Sequence, residues 1–207
     1  MALERVKSGV RGFDDMISGG YPKGFAILVS GSPGCGKTIF GLHFLLEGLK
    51  QSERCAYVTY SQSTRDLLDQ AAMFGWDMRA CEFIELRPEE FDEAIASKKY
   101  DRMVLDSLSS VAVMTRDSLS RFICKLKSMG CTTLLISELP KESSWLSRDT
   151  ISEFMADGVV ILKSIEAAGE VKNLLKVEKM RSTKIDKESH IYNITENGFE
   201  LKTYKAR

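Results

Sequence analysis

The sequence lacks several features that mark whole classes of protein. Its 29 Lys and Arg residues balance 29 Asp and Glu residues, so no overall electrostatic attraction to nucleic acid or to a membrane is expected. No apolar run approaches the roughly 20 residues that span a bilayer. The first twenty residues are charged throughout and contain no apolar core of a secretory signal. We therefore expect a cytoplasmic protein without a membrane segment.

Cysteine is sparse, and its spacing excludes a disulfide or metal framework. The five cysteines include no CxxC pair, and all but Cys35 lie in or beside an apolar run, where a free thiol acts as a small hydrophobe. Such thiols are typical of a reducing compartment. His43 lies among apolar residues without a Cys or His partner at ligand spacing, so we expect a buried histidine and not a metal ligand.

What the sequence does contain is an alternation of apolar runs and helical patterns. The predicted strands are residues 25–30, 56–60, 81–86, 102–106 and 132–137. The predicted helices are residues 37–50, 116–129 and 63–74, the last opened by a capping box from Ser63 to Asp66. Shorter helices are predicted to begin near Pro88 and at a second capping box formed by Thr150 and Glu153. This alternation predicts an α/β fold with a mostly parallel central sheet flanked by helices.

The pattern changes after residue 158. Four strand-like segments follow one another without helices: residues 159–163, 173–180, 190–194 and 199–204. They predict antiparallel hairpins added to one edge of the sheet. With no linker or repeat along the chain, residues 1–207 are expected to form a single domain.

Residues 31–38 match the phosphate-loop pattern GxxxxGK[ST] between a predicted strand and a predicted helix. The eight residues are Gly31, Ser32, Pro33, Gly34, Cys35, Gly36, Lys37 and Thr38. Glycines let the backbone amides converge on phosphate oxygens, and the helix directs its positive end at the same anion. Lys37 would contact the β- and γ-phosphates, and Thr38 would offer its hydroxyl to Mg²⁺. The alternative is a glycine-rich turn that binds no ligand.

A second residue that helps to hold the magnesium ion is expected where another buried strand ends. Asp106 closes the apolar run at residues 103–105, and a carboxylate there can hold the hydration shell of Mg²⁺. An aspartate that caps a turn or a helix is the alternative interpretation.

Further motifs surround this loop in a fixed order. They are SGVRGFDDMISGG at residues 8–20, PKG at 22–24, FGWD at 74–77, LDSL at 105–108, DGVVIL at 157–162, KMRST at 179–183 and ITENG at 194–198. Over about residues 8–203 the chain thereby resembles the KaiC-like domains of the RecA superfamily. The resemblance implies a RecA-like P-loop NTPase fold, ATP as the ligand and a homo-oligomer, usually a hexameric ring with nucleotide between subunits.

The resemblance also implies roles for residues outside the loop. Lys179 and Arg181, two apart on a predicted strand, would share one face and reach the γ-phosphate bound by a neighbouring subunit. A solvated basic edge is the alternative, and Ser182 stands where the family usually has glycine. Ser137 resembles the polar sensor near the γ-phosphate, although a simple turn serine fits its position as well.

The sequence departs from the catalytic members of the family at the end of the second strand. There the family carries two glutamates, one of which activates water, whereas this chain has Ser61 and Gln62. An amide can position water but cannot accept its proton, so slow or absent hydrolysis is expected with binding intact. Glu138 is a possible substitute base.

These observations predict a nucleotide-dependent regulatory or assembly switch with an unidentified protein partner. The alternative is an active hexameric RecA-type ATPase working on DNA or with a recombinase. The loop at residues 142–148 corresponds to a DNA-contacting loop in recombinases. It contains Trp145 and Arg148 and directly follows Lys141, but it also contains Glu142, so its basic signal is weak. A kinase is a third hypothesis, but the sequence shows no acceptor site.

Overall fold

The computed structural model describes residues 3–95, 98–108, 115–139, 146–167 and 169–202. Its strands are β1 (Arg5–Val6), β2 (Tyr21–Pro22), β3 (Ala26–Gly31), β4 (Cys55–Thr59), β5 (Glu82–Glu85), β6 (Arg102–Asp106), β7 (Thr132–Glu138), β8 (Gly158–Ala167), β9 (Glu170–Met180), β10 (Ser189–Thr195) and β11 (Gly198–Leu201). Its helices are α1 (Phe13–Met16), α2 (Lys37–Lys50), α3 (Thr64–Ala72), α4 (Phe91–Ile95), α5 (Arg116–Ser128) and α6 (Ser152–Met155), and a 3₁₀ turn spans Pro88–Glu90.

Nine of these strands form one sheet in the order β11-β10-β9-β8-β3-β7-β6-β4-β5. Strands β8, β3, β7, β6, β4 and β5 are mutually parallel. Strands β9, β10 and β11 continue the sheet beyond β8 in antiparallel fashion. The predicted α/β fold with an antiparallel edge is therefore confirmed, and β3, which leads into the phosphate loop, lies near the centre of the sheet.

The two faces of the sheet bury separate apolar clusters because side chains alternate along each strand. Ile27 and Val29 of β3 pack with α2 on one face, while Leu28 packs with α5 on the other. Helix α2 is apolar enough to be covered on most sides, with Phe40, Leu42, Phe44 and Leu45 all buried. The helix that follows the loop is thus fixed against the sheet along its length.

The amino-terminal segment packs against the side of α2. Strands β1 and β2 form a separate two-stranded antiparallel sheet. Between them, Phe13 lies edge-on to Phe40 of α2, with ring centroids 5.4 Å apart, and also contacts Tyr21. The motif at residues 8–20 therefore packs around α2, and it also contacts the edge of the large sheet, where the Leu201 amide of β11 donates to the Arg11 carbonyl oxygen at 3.2 Å.

Two helix starts tested the capping predictions. Ser63 accepts a hydrogen bond from the Asp66 amide at the start of α3, as predicted. The predicted capping box at Thr150 is wrong: Asp149 Oδ1 instead accepts from the amides of Ile151 and Ser152, at 2.8 and 2.6 Å. The short side chain of an aspartate can accept hydrogen bonds from amides two and three residues further along the chain, so Asp149 can cap the helix from outside it.

Among the residues that the structure describes, no helix is long and apolar enough to cross a membrane. The same residues contain no group of three or more His, Cys, Asp or Glu able to hold a metal ion. All five cysteines are free, and four of them are buried.

Candidate functional site

The phosphate loop joins the end of β3 to the start of α2. Gly34 and Gly36 have φ angles of 80° and 87°, which side chains other than hydrogen rarely allow. Gly36 is the N-cap of α2, so the helix begins at Lys37 and presents its first amides to the loop. This is the backbone arrangement that receives phosphate.

Only glycine fits at position 31, because its neighbours leave no space for a side chain. A Cβ atom at Gly31 would lie 2.4 Å from the carbonyl oxygen of Leu162 and 2.7 Å from Cys35 Sγ. The loop therefore lies directly against β8 with no room for a side chain. Cys35 is turned into this packed region, where burial raises the pKa of its thiol, so it can contribute only its backbone to a ligand.

The hairpin of β10 and β11 contacts the loop on the side away from β8. Tyr192 of β10 is fully buried, and its hydroxyl donates to the Cys35 carbonyl oxygen at 2.6 Å. Ile194 lies below Gly36, where a Cβ atom would meet its Cδ1 atom at 2.6 Å. The antiparallel extension at the edge of the sheet is therefore part of the site, which the sequence did not indicate.

Lys37 is buried within its own loop. Its Nζ donates to the carbonyl oxygens of Gly31 and Ser32, both at 3.0 Å. These neutral acceptors hold the ammonium at the position where a phosphate would exchange them for charged oxygens. A charge-assisted bond to phosphate is roughly twice as strong as one to a neutral carbonyl.

A cavity of about 310 Å³ opens above the loop. Its lining consists of Pro33, Gly34, Gly36, Lys37, Thr38, Ile39, Ser61, Gln62, Gln70, Asp106, Ile136, Glu138 and Ile194. The structure thus brings together the loop, the predicted magnesium aspartate and the residues at the end of β4. Glu138 lies in the same cavity, as its position directly after the predicted fifth strand would allow.

Asp106 is buried at the carboxyl end of β6. The Tyr57 hydroxyl donates to its Oδ2 atom at 2.6 Å. Burial raises the pKa of the Asp106 carboxyl, while this hydrogen bond and the Lys37 charge oppose the rise. Burial also raises the pKa of the Tyr57 hydroxyl, and the Thr38 side chain, which lies close to both Tyr57 and Asp106, partly opposes the rise in the pKa of each.

The predicted ligands fit these residues. The Thr38 hydroxyl and the Asp106 carboxylate are the hard oxygen donors that Mg²⁺ prefers. Gly34 and Gly36 supply the left-handed backbone turns that a phosphate-binding loop needs. Together they would hold a triphosphate and its magnesium ion, with the metal neutralising the phosphate charge.

The segment after β4 is held by the side chain of Thr59. The amides of Ser61 and Gln62 donate to Thr59 Oγ1 at 3.3 and 3.0 Å. This turn aims Gln62 into the cavity, where its Oε1 atom is buried and has no hydrogen-bond partner among the described residues. A carboxamide oxygen in that position is an acceptor for a water molecule or a ligand hydroxyl.

Ser137 occupies a different place from its cavity neighbours. It lies inside β7 opposite Ser30 and is fully buried. The residues on either side of it, Ile136 and Glu138, line the cavity. Since side chains alternate along a strand, Ser137 is on the other face, and its sensor role stays a prediction.

Lys179 and Arg181 lie at the end of β9 and share one face of the chain. Lys179 Nζ donates to three carbonyls around α6, the shortest bond being 2.7 Å to Ala156. Arg181 Nη2 donates to the Phe154 carbonyl at 3.1 Å. Neither residue lines the cavity of its own chain. Ser182, where the family has glycine, has a φ of 52°.

The predicted DNA-contacting loop is described only at its end. Lys141, Glu142 and Trp145 lie outside the described residues, and Arg148 is exposed to solvent.

Comparison with known proteins agrees with the fold and with the phosphate loop. A family model for the KaiC ATPase matches residues 6–87 and 82–206. The circadian clock oscillator protein KaiC of Parasynechococcus marenigrum is 30% identical over 213 residues, which are 88% of this chain and 42% of that protein. The circadian clock protein KaiC3 of Synechocystis sp. is 30% identical over 211 residues, 87% of this chain and 42% of that protein.

A solved structure is similar along nearly the whole chain. The KaiC-like protein of the hyperthermophilic archaeon Pyrococcus horikoshii has a TM-score of 0.89 and 32% identity, and the match covers 98% of this chain and 100% of that one. By contrast, this chain spans less than half the length of the two clock proteins. The family match, the sheet order and the loop geometry agree, and the chain therefore belongs to the KaiC-like P-loop ATPases of the RecA superfamily.

Proposed function

We propose that this protein is an ATP-dependent regulatory or assembly switch of the cytoplasm that binds Mg·ATP and hydrolyses it slowly or not at all. The observation that carries the proposal is the cavity itself. It unites an intact phosphate loop and Asp106 with Ser61 and Gln62, which stand where catalytic relatives have acids.

Binding would follow from groups already in place. The loop amides and the first turn of α2 would receive the phosphates. Lys37 would exchange the carbonyls of Gly31 and Ser32 for phosphate oxygens. Thr38 and Asp106 would hold the magnesium ion, which neutralises phosphate charge when bound.

Hydrolysis would be limited by the absence of a base at residues 61 and 62. The Gln62 carboxamide oxygen can orient a water molecule but cannot take its proton, and a missing general base costs about 10²–10⁴-fold in rate. The carboxylates in the cavity lining are Asp106 and Glu138. Since Asp106 is assigned to magnesium, residual hydrolysis would depend on Glu138.

We further propose that the protein acts as a ring of its own copies, with six as the expected number. In such a ring Lys179 and Arg181 would turn from the Phe154 carbonyl to the phosphates of a neighbouring subunit. The Phe154 side chain beside them is 69% exposed, which suits a surface covered on assembly. A protein partner would recognise the nucleotide-loaded assembly.

The deciding experiment follows particle mass by light scattering and phosphate release in one sample during titration with Mg·ATP. We expect nucleotide-dependent growth in mass and turnover far below the roughly 1–10³ s⁻¹ of typical enzymes. Lys37→Ala should abolish both signals. Turnover well above roughly one per minute, the range of unassisted P-loop hydrolases, that Lys37→Ala removes would instead identify an active ATPase.

Two exchanges test why turnover is slow. Gln62→Glu restores an acid at the position of the missing base and should raise turnover by about ten-fold or more. Glu138→Gln should remove the residual activity while nucleotide affinity persists. Equal turnover in the wild type and in both variants would show that neither side chain limits the reaction.

A further inference from the structure

Tyr57 lies behind the magnesium position. Its side chain is fully buried in β4 and does not line the cavity. Its hydroxyl nevertheless reaches the cavity through Asp106, whose Oδ2 atom accepts a hydrogen bond from it at 2.6 Å. No sequence motif marks this tyrosine.

The position of this hydroxyl is set by the sheet. Tyr57 pairs with Val104 across the parallel strands β4 and β6, two residues before Asp106. Its ring stacks on Phe83 with centroids 5.8 Å apart and planes inclined by 19°. The ring is therefore held between two neighbouring strands, and its oxygen stays at one distance from the carboxylate.

We propose that Tyr57 is a positioning residue for magnesium: it occupies one oxygen of Asp106 from the core side and leaves the other for the metal's hydration shell. This inference rests on the proposed binding of Mg·ATP. A buried carboxylate with an unpaired oxygen would rotate toward any donor. The hydroxyl removes this freedom and holds the carboxylate with its other oxygen free to face the cavity.

The fold contains two matched controls. Tyr192 and Tyr21 are also fully buried tyrosines. The Tyr192 hydroxyl donates to the Cys35 carbonyl of the phosphate loop, whereas the Tyr21 hydroxyl has no partner among the described residues. Changing each of the three tyrosines to phenylalanine removes one oxygen atom and leaves the ring.

The test uses ADP, which binds the same loop without being hydrolysed. Calorimetry measures the affinity for ADP in excess EDTA and the affinity of the ADP complex for Mg²⁺. Tyr57→Phe should weaken Mg²⁺ binding by about ten-fold, the usual cost of losing a group that orients a metal ligand, and should leave ADP affinity in EDTA unchanged. Tyr192→Phe should weaken ADP in both conditions, and Tyr21→Phe should change neither.

A double variant separates positioning from a general loss of structure. If Tyr57 acts through Asp106, then Tyr57→Phe combined with Asp106→Asn should bind Mg²⁺ as weakly as Asp106→Asn alone, because coupled residues are not additive. A further ten-fold loss in the double variant would overturn the inference. So would Mg²⁺ affinity in Tyr57→Phe equal to that of the wild type. ADP uptake by the wild type that ignores magnesium would overturn the proposed function itself.

Discussion

Replacing Arg102 with methionine should lower the free energy of unfolding more than any surface exchange. Arg102 is 1% exposed at the start of β6. Its Nε atom pairs with Glu53, and its Nη1 atom donates to the carbonyls of Lys7 and Phe44 at 2.6 and 2.9 Å. The guanidinium also lies 4.8 Å from the centre of the Phe44 ring. One side chain thus joins the sheet, α2 and the amino-terminal segment.

The structure sets the expected magnitude. Breaking a buried ion pair by removing one partner costs about 3–5 kcal/mol. The Glu53 side chain is 24% exposed and regains some hydration when left alone, which favours the lower end. Methionine fills the space of the aliphatic stem but donates no hydrogen bond. We therefore expect a loss of about 3 kcal/mol, or roughly 6–12 °C in melting temperature for a chain of this size.

Urea unfolding followed by circular dichroism measures this loss, and Arg54→Met provides the control. Arg54 pairs with Asp101 at 3.8 Å, but their side chains are 65% and 43% exposed. Such a pair contributes about 0–1 kcal/mol. Equal losses in the two variants, or a loss below about 1 kcal/mol for Arg102→Met, would refute the reasoning from burial.

Three further changes have defined outcomes. Gly31→Ala places a Cβ atom 2.4 Å from the Leu162 carbonyl; calorimetry should detect no nucleotide binding, and wild-type affinity would contradict the role of this contact. Ser182→Gly relieves a φ of 52° and should raise urea-unfolding stability by about 0.5 kcal/mol, less than the roughly 1–2 kcal/mol cost of this conformation because glycine gains entropy on unfolding. His43 accepts from the Phe199 amide, and burial lowers its pKa to about 4 from 6.5. The unfolded chain therefore binds the extra proton first, and stability should fall from pH 6.5 toward pH 4 by up to about 3 kcal/mol. His43→Gln should lose that part of the pH dependence, and an unchanged dependence would contradict the assignment.

The elements with strong local signals were predictable. The bounds of β6 and α2 agree with the predicted segments, because an apolar run between polar residues and a helix opened by glycine and lysine are each set by neighbouring residues. The sheet between β1 and β2 was not predicted, since each strand has two residues and carries no periodicity. The predicted cap of α6 was wrong because Asp149 and Thr150 are both suitable capping residues. Only the backbone geometry decides which of the two side chains reaches the first amides of the helix.

The site also contains residues that the sequence predicts and residues that it does not. The loop is contiguous in sequence, so its motif predicts it, and Asp106 was predictable as the polar end of an apolar strand. The bonds from Tyr57 to Asp106 and from Tyr192 to Cys35 join residues 49 and 157 positions apart, which no local pattern specifies. The available signal was chemical: a tyrosine in a buried strand usually finds a partner for its hydroxyl.

The bond from Tyr192 to the Cys35 carbonyl has a consequence for regulation. It connects β10 mechanically to the backbone that would receive phosphate, and β11 beside it is the last strand of the sheet. A protein that binds β11 would affect the position of the loop through the rigid aromatic ring of Tyr192. Such a linkage is reciprocal: whatever tightens the loop around nucleotide also changes how firmly the outer strands are held.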